Sequence, residues 1–501
     1  MSRRGFLAGA IAALPMAAVM FLLASSIGLP TLPELFADPV LFLIPGPLFG
    51  WLIDALQFGA KSLLLAALLE GQLLVCALVG RLWASRAGPE ATPAALWRSA
   101  LTLTLAIYFG FVTLGLALLN VGLFGAALST GPLPGLAGLL LVHLAYGLTL
   151  VPAYRFLASR PAALEPGPDR ERRRLLTALG AASLALVGAG ALWRALGGAT
   201  IVGASRVTHE SLSDELTPTD RFYTVSKNFA DPRVDPGPWR LEIAGQLERP
   251  ASYTLDELRA RPAREQAFTL CCISNEVGGD LIGNARWRGV PLRDLIEAAG
   301  PRAGVRKVVF RAADGYTDSI AFDKAMDAAT LLAYEMNGEP LTSVHGRPAR
   351  LLVPDIYGMK NVKWITRVEL LTGDFRGYWQ EKGWNDLAQI QTFSRIDVPA
   401  GGRTISRPIT IGGVAHAGSR GVRRVELSLD GGRSWVEAQR RPPLSQNSWT
   451  LWTYEWTPPG AGQYRLVVRA TDGFDRVQLQ QETPSFPDGA TGWHAVTVRV
   501  L

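Results

Sequence analysis

The chain has 501 residues, room for about three domains of ~150 residues each, and carries 50 Lys and Arg against 43 Asp and Glu. Residues 1–199 hold 13 basic and 8 acidic side chains, leaving 37 and 35 for residues 200–501, and no charged residue occurs over the 56 positions 99–154. A wholly soluble protein is thereby excluded, and so is a nucleic-acid partner, because the basic excess flanks apolar segments; Cys76, Cys271 and Cys272 are too few for a disulfide scaffold.

Five apolar runs approach the ~20 residues a helix needs to cross a bilayer: 5–27, 62–80, 99–119, 134–154 and 175–193. The stretch 46–58 is too short to span and is expected at the membrane interface. Eleven arginines (Arg3, Arg4, Arg81, Arg86, Arg98, Arg155, Arg160, Arg170, Arg172, Arg173 and Arg174) fall on one side of these spans. Lys61 and Arg194 fall on the other. The positive-inside rule then puts the N-terminus in the cytoplasm and residues 200–501 outside the cytoplasmic membrane. Arg3-Arg4 ahead of Gly5-Phe6-Leu7 has the form of a twin-arginine signal, and equally of a positive-inside anchor. Glu70 and His143 are polar groups at membrane depth. With His143 the one histidine among the spans, no bis-histidine haem is expected in this chain.

After a small, polar linker at 197–217 comes a mixed α+β pattern. It has apolar alternation at 239–244 and 307–310, and helix-like stretches at 255–259, 292–299 and 325–334. Within it, Cys271-Cys272 ends an apolar run ahead of Gly278-Gly279. A thiolate there suits a soft metal or nucleophilic attack, and two small buried residues are the plain alternative. His345, Arg347 and Arg350 precede a strand, and Lys360 and Lys363 follow it; basic groups beside glycine turns suit a phosphate. From about Arg403 the texture becomes short alternating strands with an Asp430-Gly431 hairpin signal, the pattern of an immunoglobulin-like sandwich.

Taken together, TLCCISNEVGGDLIGNARWRGVPLRDLI, LLAYEMNG, HGRPARLLVP and GMKNVKWI resemble, in order and spacing, the molybdenum-binding domain of sulfite oxidases. The segments SLDGGRSW, WTLWTYEW, VVRATDGF and PDGATGWHAV resemble that family's dimerisation domain. With the membrane domain of the apolar spans at 1–196, the resemblance implies a molybdopterin-binding domain at 218–396 and an immunoglobulin-like domain at 397–501. It implies Cys272 as the molybdenum ligand, with Cys271 at the variable position. Phe222, Tyr223, Asp314, His345, Arg350, Asn361, Val362 and Lys363 then correspond to the residues that hold the pterin.

Two departures bear on substrate. The family's arginines suited to a tetrahedral oxyanion are replaced by Thr224-Val225-Ser226-Lys227 and by Glu276-Val277-Gly278. The active-site tyrosine falls at Trp384. An aromatic pocket of this kind points away from sulfite and leaves reduction of sulfoxides or N-oxides, or oxidation of another small molecule. The expected protein is a molybdopterin oxidoreductase whose electrons come from a separate quinone or cytochrome, with a homodimer by analogy. A non-catalytic receptor that keeps the fold, and a cysteine hydrolase pairing Cys272 with His345, are the rival readings.

Overall fold

The computed structural model describes residues 2–56, 59–87, 91–119, 121–126, 128, 130–159, 211–228, 231–406 and 408–501. The chain divides into one compact unit of Met1–Ile44, Leu56–Gly203 and Asn228–Asp231 and another of Pro45–Ala55, Ala204–Lys227 and Pro232–Leu501.

The first unit is helical: α1 (Ser2–Ile27), α2 (Leu32–Leu43), then, after α3 (Gly46–Leu56) of the second unit, α4 (Gly59–Ala87), α5 (Pro93–Gly110) and α6 (Pro132–Ala158). Four helices are long and apolar enough to cross a membrane: Arg3–Ile27, Ser62–Ala87, Pro93–Leu118 and Pro132–Ala158. They match the first four expected spans; the fifth, 175–193, lies outside the described residues. Small residues let α1 and α4 touch. A Cβ on Gly9 would collide with Cys76 O, and one on Gly80 would meet Gly5 O at 2.5 Å, the close backbone approach that a Gly-x-x-x-Gly face allows. His143 is buried, its Nδ1 2.7 Å from Leu139 O and its ring against Tyr108 and Phe111, whereas Glu70 is exposed on the unit's surface. His143 is therefore satisfied within its own helix.

In the second unit, Phe49 of α3 lies 6.1 Å from the Trp379 ring and Gly50 abuts Phe486. The strands follow in chain order: β1 (Leu241–Gly245), β2 (Ala251–Tyr253), β3 (Arg264–Cys271), β4 (Ile282–Pro291), β5 (Lys307–Ala312), β6 (Thr317–Ala321), β7 (Leu331–Met336), β8 (Glu339–Pro340), β9 (Arg350–Leu352) and β10 (Ile365–Leu371). One sheet runs β2-β1-β10-β5-β6, with β1 and β10 parallel; the other runs β3-β4-β7-β8, with β9 on β7. The helix expected over 325–334 is not there. A short turn of helix, Phe322–Ala325, ends and β7 begins at Leu331, because the run LLAYEM is apolar on both faces and pairs with β4 on one side and β9 on the other. The expected helices Leu255–Arg259 and Leu292–Ala299 are present; the first opens on a Thr254–Glu257 capping box.

The C-terminal region is a β-sandwich. β11 (Phe393–Val398), β12 (Thr404–Ile405), β13 (Ile409–His416), β14 (Val422–Ser428), β15 (Val436–Glu437), β16 (Gln439–Arg440), β17 (Thr450–Trp456), β18 (Gly462–Asp472) and β19 (Ala495–Val500) form sheets ordered β11-β13-β17-β16 and β12-β19-β18-β14-β15. Trp452, Ile411, Val425, Leu427, Leu466 and Val468 fill the space between them. The Asp430-Gly431 turn joins β14 to β15. Its tight backbone needs Gly431 and Gly432 at φ +80° and +99°, and the Asp430 carboxylate accepts from the Arg433 and Ser434 amides.

Candidate functional site

The apolar, β-branched and aromatic face of β3 buries Phe268 and Leu270 and delivers Cys271 and Cys272 to its end. Cys272 N donates to Leu281 O at 2.9 Å, and Asn275 Oδ1 accepts from Leu281 N at 2.8 Å, so Asn275 closes the loop that presents the thiol. Within that loop Gly278 has φ +74°, and a Cβ there would collide with the His494 ring. Cys272 Sγ lies 3.0 Å from Ser274 Oγ. Burial pushes the Cys272 thiol up, opposed by the Ser274 and Ile273 hydrogen bonds, and burial pushes Cys271 up as well.

Around this thiol the fold gathers most of the residues singled out from the sequence. Phe222 stacks on Tyr223, meets Trp287 edge-on at 5.8 Å, and meets His345 at 5.6 Å. Burial and then the Cys272 and Cys271 thiols push the Tyr223 phenol well above its ordinary value, while Arg350 opposes them. His345 Nε2 is 2.9 Å from Thr219 O. Arg350 lies over the Trp287 ring at 5.1 Å and donates to His345 O and Asn361 O, each at 3.2 Å. Asn361 spends its side chain on the loop itself: Oδ1 accepts from Val353 N at 2.7 Å and Nδ2 donates to Tyr357 O at 3.1 Å. Val362 is buried, and Lys363 donates to Val344 O at 3.0 Å while lying over Trp364. Asp314 connects less directly. Its Oδ1 accepts from Tyr316 N, and Tyr316 OH donates to Met359 O at 2.8 Å in the turn before Asn361.

Arg350 carries the strongest chemical signal. It is buried, its Nε has no partner, and no carboxylate pairs with it among the described residues. Burial lowers its pKa to about 10. A desolvated guanidinium without a counter-ion is costly unless an anion completes it. No group of three His, Cys, Asp or Glu that could hold a metal is found among the described residues.

Trp384 sits on the loop after the short helix Tyr378–Glu381. Its indole meets Phe486 edge-on at 5.1 Å, and Nε1 is buried without an acceptor. Asn385 N donates to Pro487 O at 3.2 Å, and Asn385 Nδ2 bonds Asp488, which knits this loop to the C-terminal sandwich. Phe486 was not legible as a wall residue, because nothing local in the sequence ties it to Trp384. Lys382 was missed as well: it is buried, 4.4 Å above the Tyr378 ring, which Lys227 also approaches at 5.4 Å. The hydrolase reading fails on geometry, since Cys272 pairs with Ser274 and His345 with a backbone carbonyl, and a raised thiol pKa is the reverse of activation.

Comparison with known proteins identifies two family domains in the chain. Residues 228–379 match the oxidoreductase molybdopterin binding domain, and residues 391–500 match the Mo-co oxidoreductase dimerisation domain. The chain is 31% identical to sulfite oxidase of Gallus gallus over 333 residues, 56% of this chain and 72% of that protein. It is 31% identical to mitochondrial sulfite oxidase of Homo sapiens over 57% of this chain and 62% of that protein, so it spans about three fifths of the length of this mammalian relative. The sulfane dehydrogenase SoxCD of Paracoccus pantotrophus shares the fold, with a TM-score of 0.50 and 24% identity over 57% of this chain and 81% of that one. The residues present fit a molybdopterin. Arg350 supplies an unmatched buried cation for an anionic group, Cys272 a soft ligand for the metal, and Lys363, just after the 358–360 turn, a second cation beside Arg350's strand.

Proposed function

The chain belongs to the sulfite oxidase family, and from that premise we propose that it is a membrane-anchored, molybdenum-molybdopterin oxidoreductase that moves an oxygen atom to or from a small neutral molecule, with sulfoxide or N-oxide reduction the favoured reaction. The observation that carries the substrate reading is the aromatic wall of Trp384 and Phe486 with the unmatched Trp384 Nε1 donor. A neutral S–O or N–O oxygen can accept that N–H while apolar substituents pack on the two rings.

When bound, the cofactor supplies two-electron oxygen-atom transfer. The chain's residues act around it. Cys272 would hold the metal as its thiolate, and since burial keeps the free thiol protonated, that proton would have to leave when the metal is taken up. Arg350 and Lys363 would hold the anionic end, and Asn275 fixes the loop so that the sulfur is presented in one position. Tyr223 and Trp287 exclude water from Arg350, which strengthens its charge-assisted bonds. Reducing a sulfoxide takes two electrons and two protons and releases water. A quinone or cytochrome is the proposed electron donor. The four apolar helices anchor the chain, and the flanking arginines favour a catalytic domain on the outer face of the cytoplasmic membrane. The dimerisation domain favours a homodimer.

A second reading, oxidation of an oxyanion such as sulfite, has one observation in its favour: Lys227 and Lys382 flank Tyr378. Purified protein assayed in parallel with aryl sulfoxides, an N-oxide and sulfite decides between them. Turnover of a sulfoxide or N-oxide that is lost in Cys272→Ser supports the first reading. Turnover of sulfite alone overturns it, and absent molybdenum in matured protein overturns both.

A further inference from the structure

The geometry points to Lys360 as a positioning residue that ties the cofactor-holding turn to the loop carrying Trp384. The inference rests on the molybdopterin site and is independent of which substrate is turned over.

Lys360 is 1% exposed, and its ammonium has three acceptors: Asp318 Oδ1 at 2.7 Å, Ser319 O at 2.8 Å and Asp386 Oδ1 at 3.0 Å. An ammonium has three N–H bonds, and each has an acceptor within the protein, so Lys360 serves as a tie and has no donor left for an anionic ligand. The three acceptors come from two separate pieces of chain. Asp318 and Ser319 lie on β6; Asp386 lies two residues after Trp384. Lys360 itself closes the short 3-10 turn Gly358–Lys360, directly before Asn361, Val362 and Lys363.

The tie is reinforced at each end. Tyr316 OH lies 2.9 Å from Asp318 Oδ2 and 2.8 Å from Met359 O in the turn, so its single proton is shared between the two acceptors. Asp386 takes a second bond from Lys307 Nζ at 2.6 Å. Alongside, Tyr357 N donates to Ala388 O at 2.8 Å, and Asn385 Oδ1 accepts from Leu387 N at 2.7 Å. Turn and loop are thus stitched at two points, and the Lys360–Asp386 stitch is the charged one. A buried ion pair is a poor source of net stability compared with apolar packing of the same volume, but its short, directional bonds admit one arrangement. At this place the arrangement so fixed is the register of the Trp384 loop against the turn that holds the cofactor. A displacement of the turn is then transmitted to the wall of the substrate pocket.

The test uses the holoenzyme and two variants. Asp386→Asn removes the charge at the half-exposed end and leaves Lys360–Asp318 intact. Lys360→Met combined with Asp318→Asn removes both buried charges together, so neither is stranded. Amide hydrogen exchange is followed in peptides spanning 358–364 and 383–389, with the Mo(V) electron paramagnetic resonance spectrum recorded on the same samples. Both variants are expected to exchange about tenfold faster or more in both peptides, with a shifted Mo(V) signal. Faster exchange confined to 383–389 in Asp386→Asn, with an unchanged Mo(V) signal, overturns the inference, because Asp386 would then anchor only its own loop. Wild-type exchange in both variants overturns it equally.

Discussion

Replacing Arg350 with methionine should be nearly neutral in cofactor-free protein and costly in cofactor-loaded protein. Burial holds the guanidinium pKa at about 10, and a depression of that size corresponds to about 3 kcal/mol of unfavourable charge burial. Arginine is a base whose folded pKa lies below its unfolded one. The cost is therefore complete at neutral pH and is relieved only as pH rises through about 10 towards the unfolded value. Methionine removes that cost. It also removes the bonds to His345 O and Asn361 O and the stacking on Trp287, each about 1 kcal/mol. The contributions nearly cancel, so cofactor-free Arg350→Met should unfold within about 1 kcal/mol of wild type. In loaded protein the guanidinium faces an anion, and deleting one partner of a buried pair costs about 3–5 kcal/mol, a loss of cofactor retention of about a hundredfold or more. Protein produced with and without a supply of molybdopterin would be compared by thermal unfolding, and molybdenum retained after dialysis would be measured by elemental mass spectrometry. A variant that keeps its molybdenum while its cofactor-free form loses more than about 3 kcal/mol would refute the reasoning and make Arg350 a structural residue.

The two adjacent thiols should separate cleanly: Cys272→Ser loses molybdenum, whereas Cys271→Ser retains it at a stability cost of about 1–2 kcal/mol for a buried hydroxyl, read by metal analysis and thermal unfolding. Trp384→Phe keeps the ring contact with Phe486 but deletes the Nε1 donor; molybdenum content should be unchanged and kcat/KM for a sulfoxide should fall about tenfold, the worth of one hydrogen bond. In the β14–β15 turn, the Ser434 and Ser428 hydroxyls and the Arg433 and Ser434 amides hold the Asp430 carboxyl well below its ordinary value. Asp430→Ala should lower the Tm of the sandwich at neutral pH. Because the folded pKa is depressed, wild type's advantage is present above the unfolded carboxylate pKa of about 3.9 and fades as pH falls below it. A gap in Tm that persists unchanged at low pH would show that the charge is not responsible.

Sequence by itself determined the parts of this protein that depend on local pattern. Apolar runs specify the helices at Arg3–Ile27, Ser62–Ala87, Pro93–Leu118 and Pro132–Ala158, since helix length against bilayer thickness needs no knowledge of neighbours. The Thr254 cap, the Asp430-Gly431 turn and the placing of Cys272 after β3 are likewise short-range, each set by residues within a few positions. Tertiary structure decided what depends on distant partners. The run LLAYEM has no period that separates helix from strand, and only β4 and β9 on its two sides make it β7. Asn361 was read as a cofactor residue, yet its side chain is consumed by Val353 N and Tyr357 O, and its backbone is engaged too, N donating to Gly358 O and O accepting from Arg350. Arg350 looks from its sequence like any solvated basic residue beside a strand. Its meaning comes from its burial beneath Trp287 with no carboxylate pairing with it among the described residues. Trp384 against Phe486, and Lys360 between Asp318 and Asp386, are pairings of residues far apart in the chain. Close packing and the need to satisfy buried charge create them, and neither force leaves a periodic trace in the sequence.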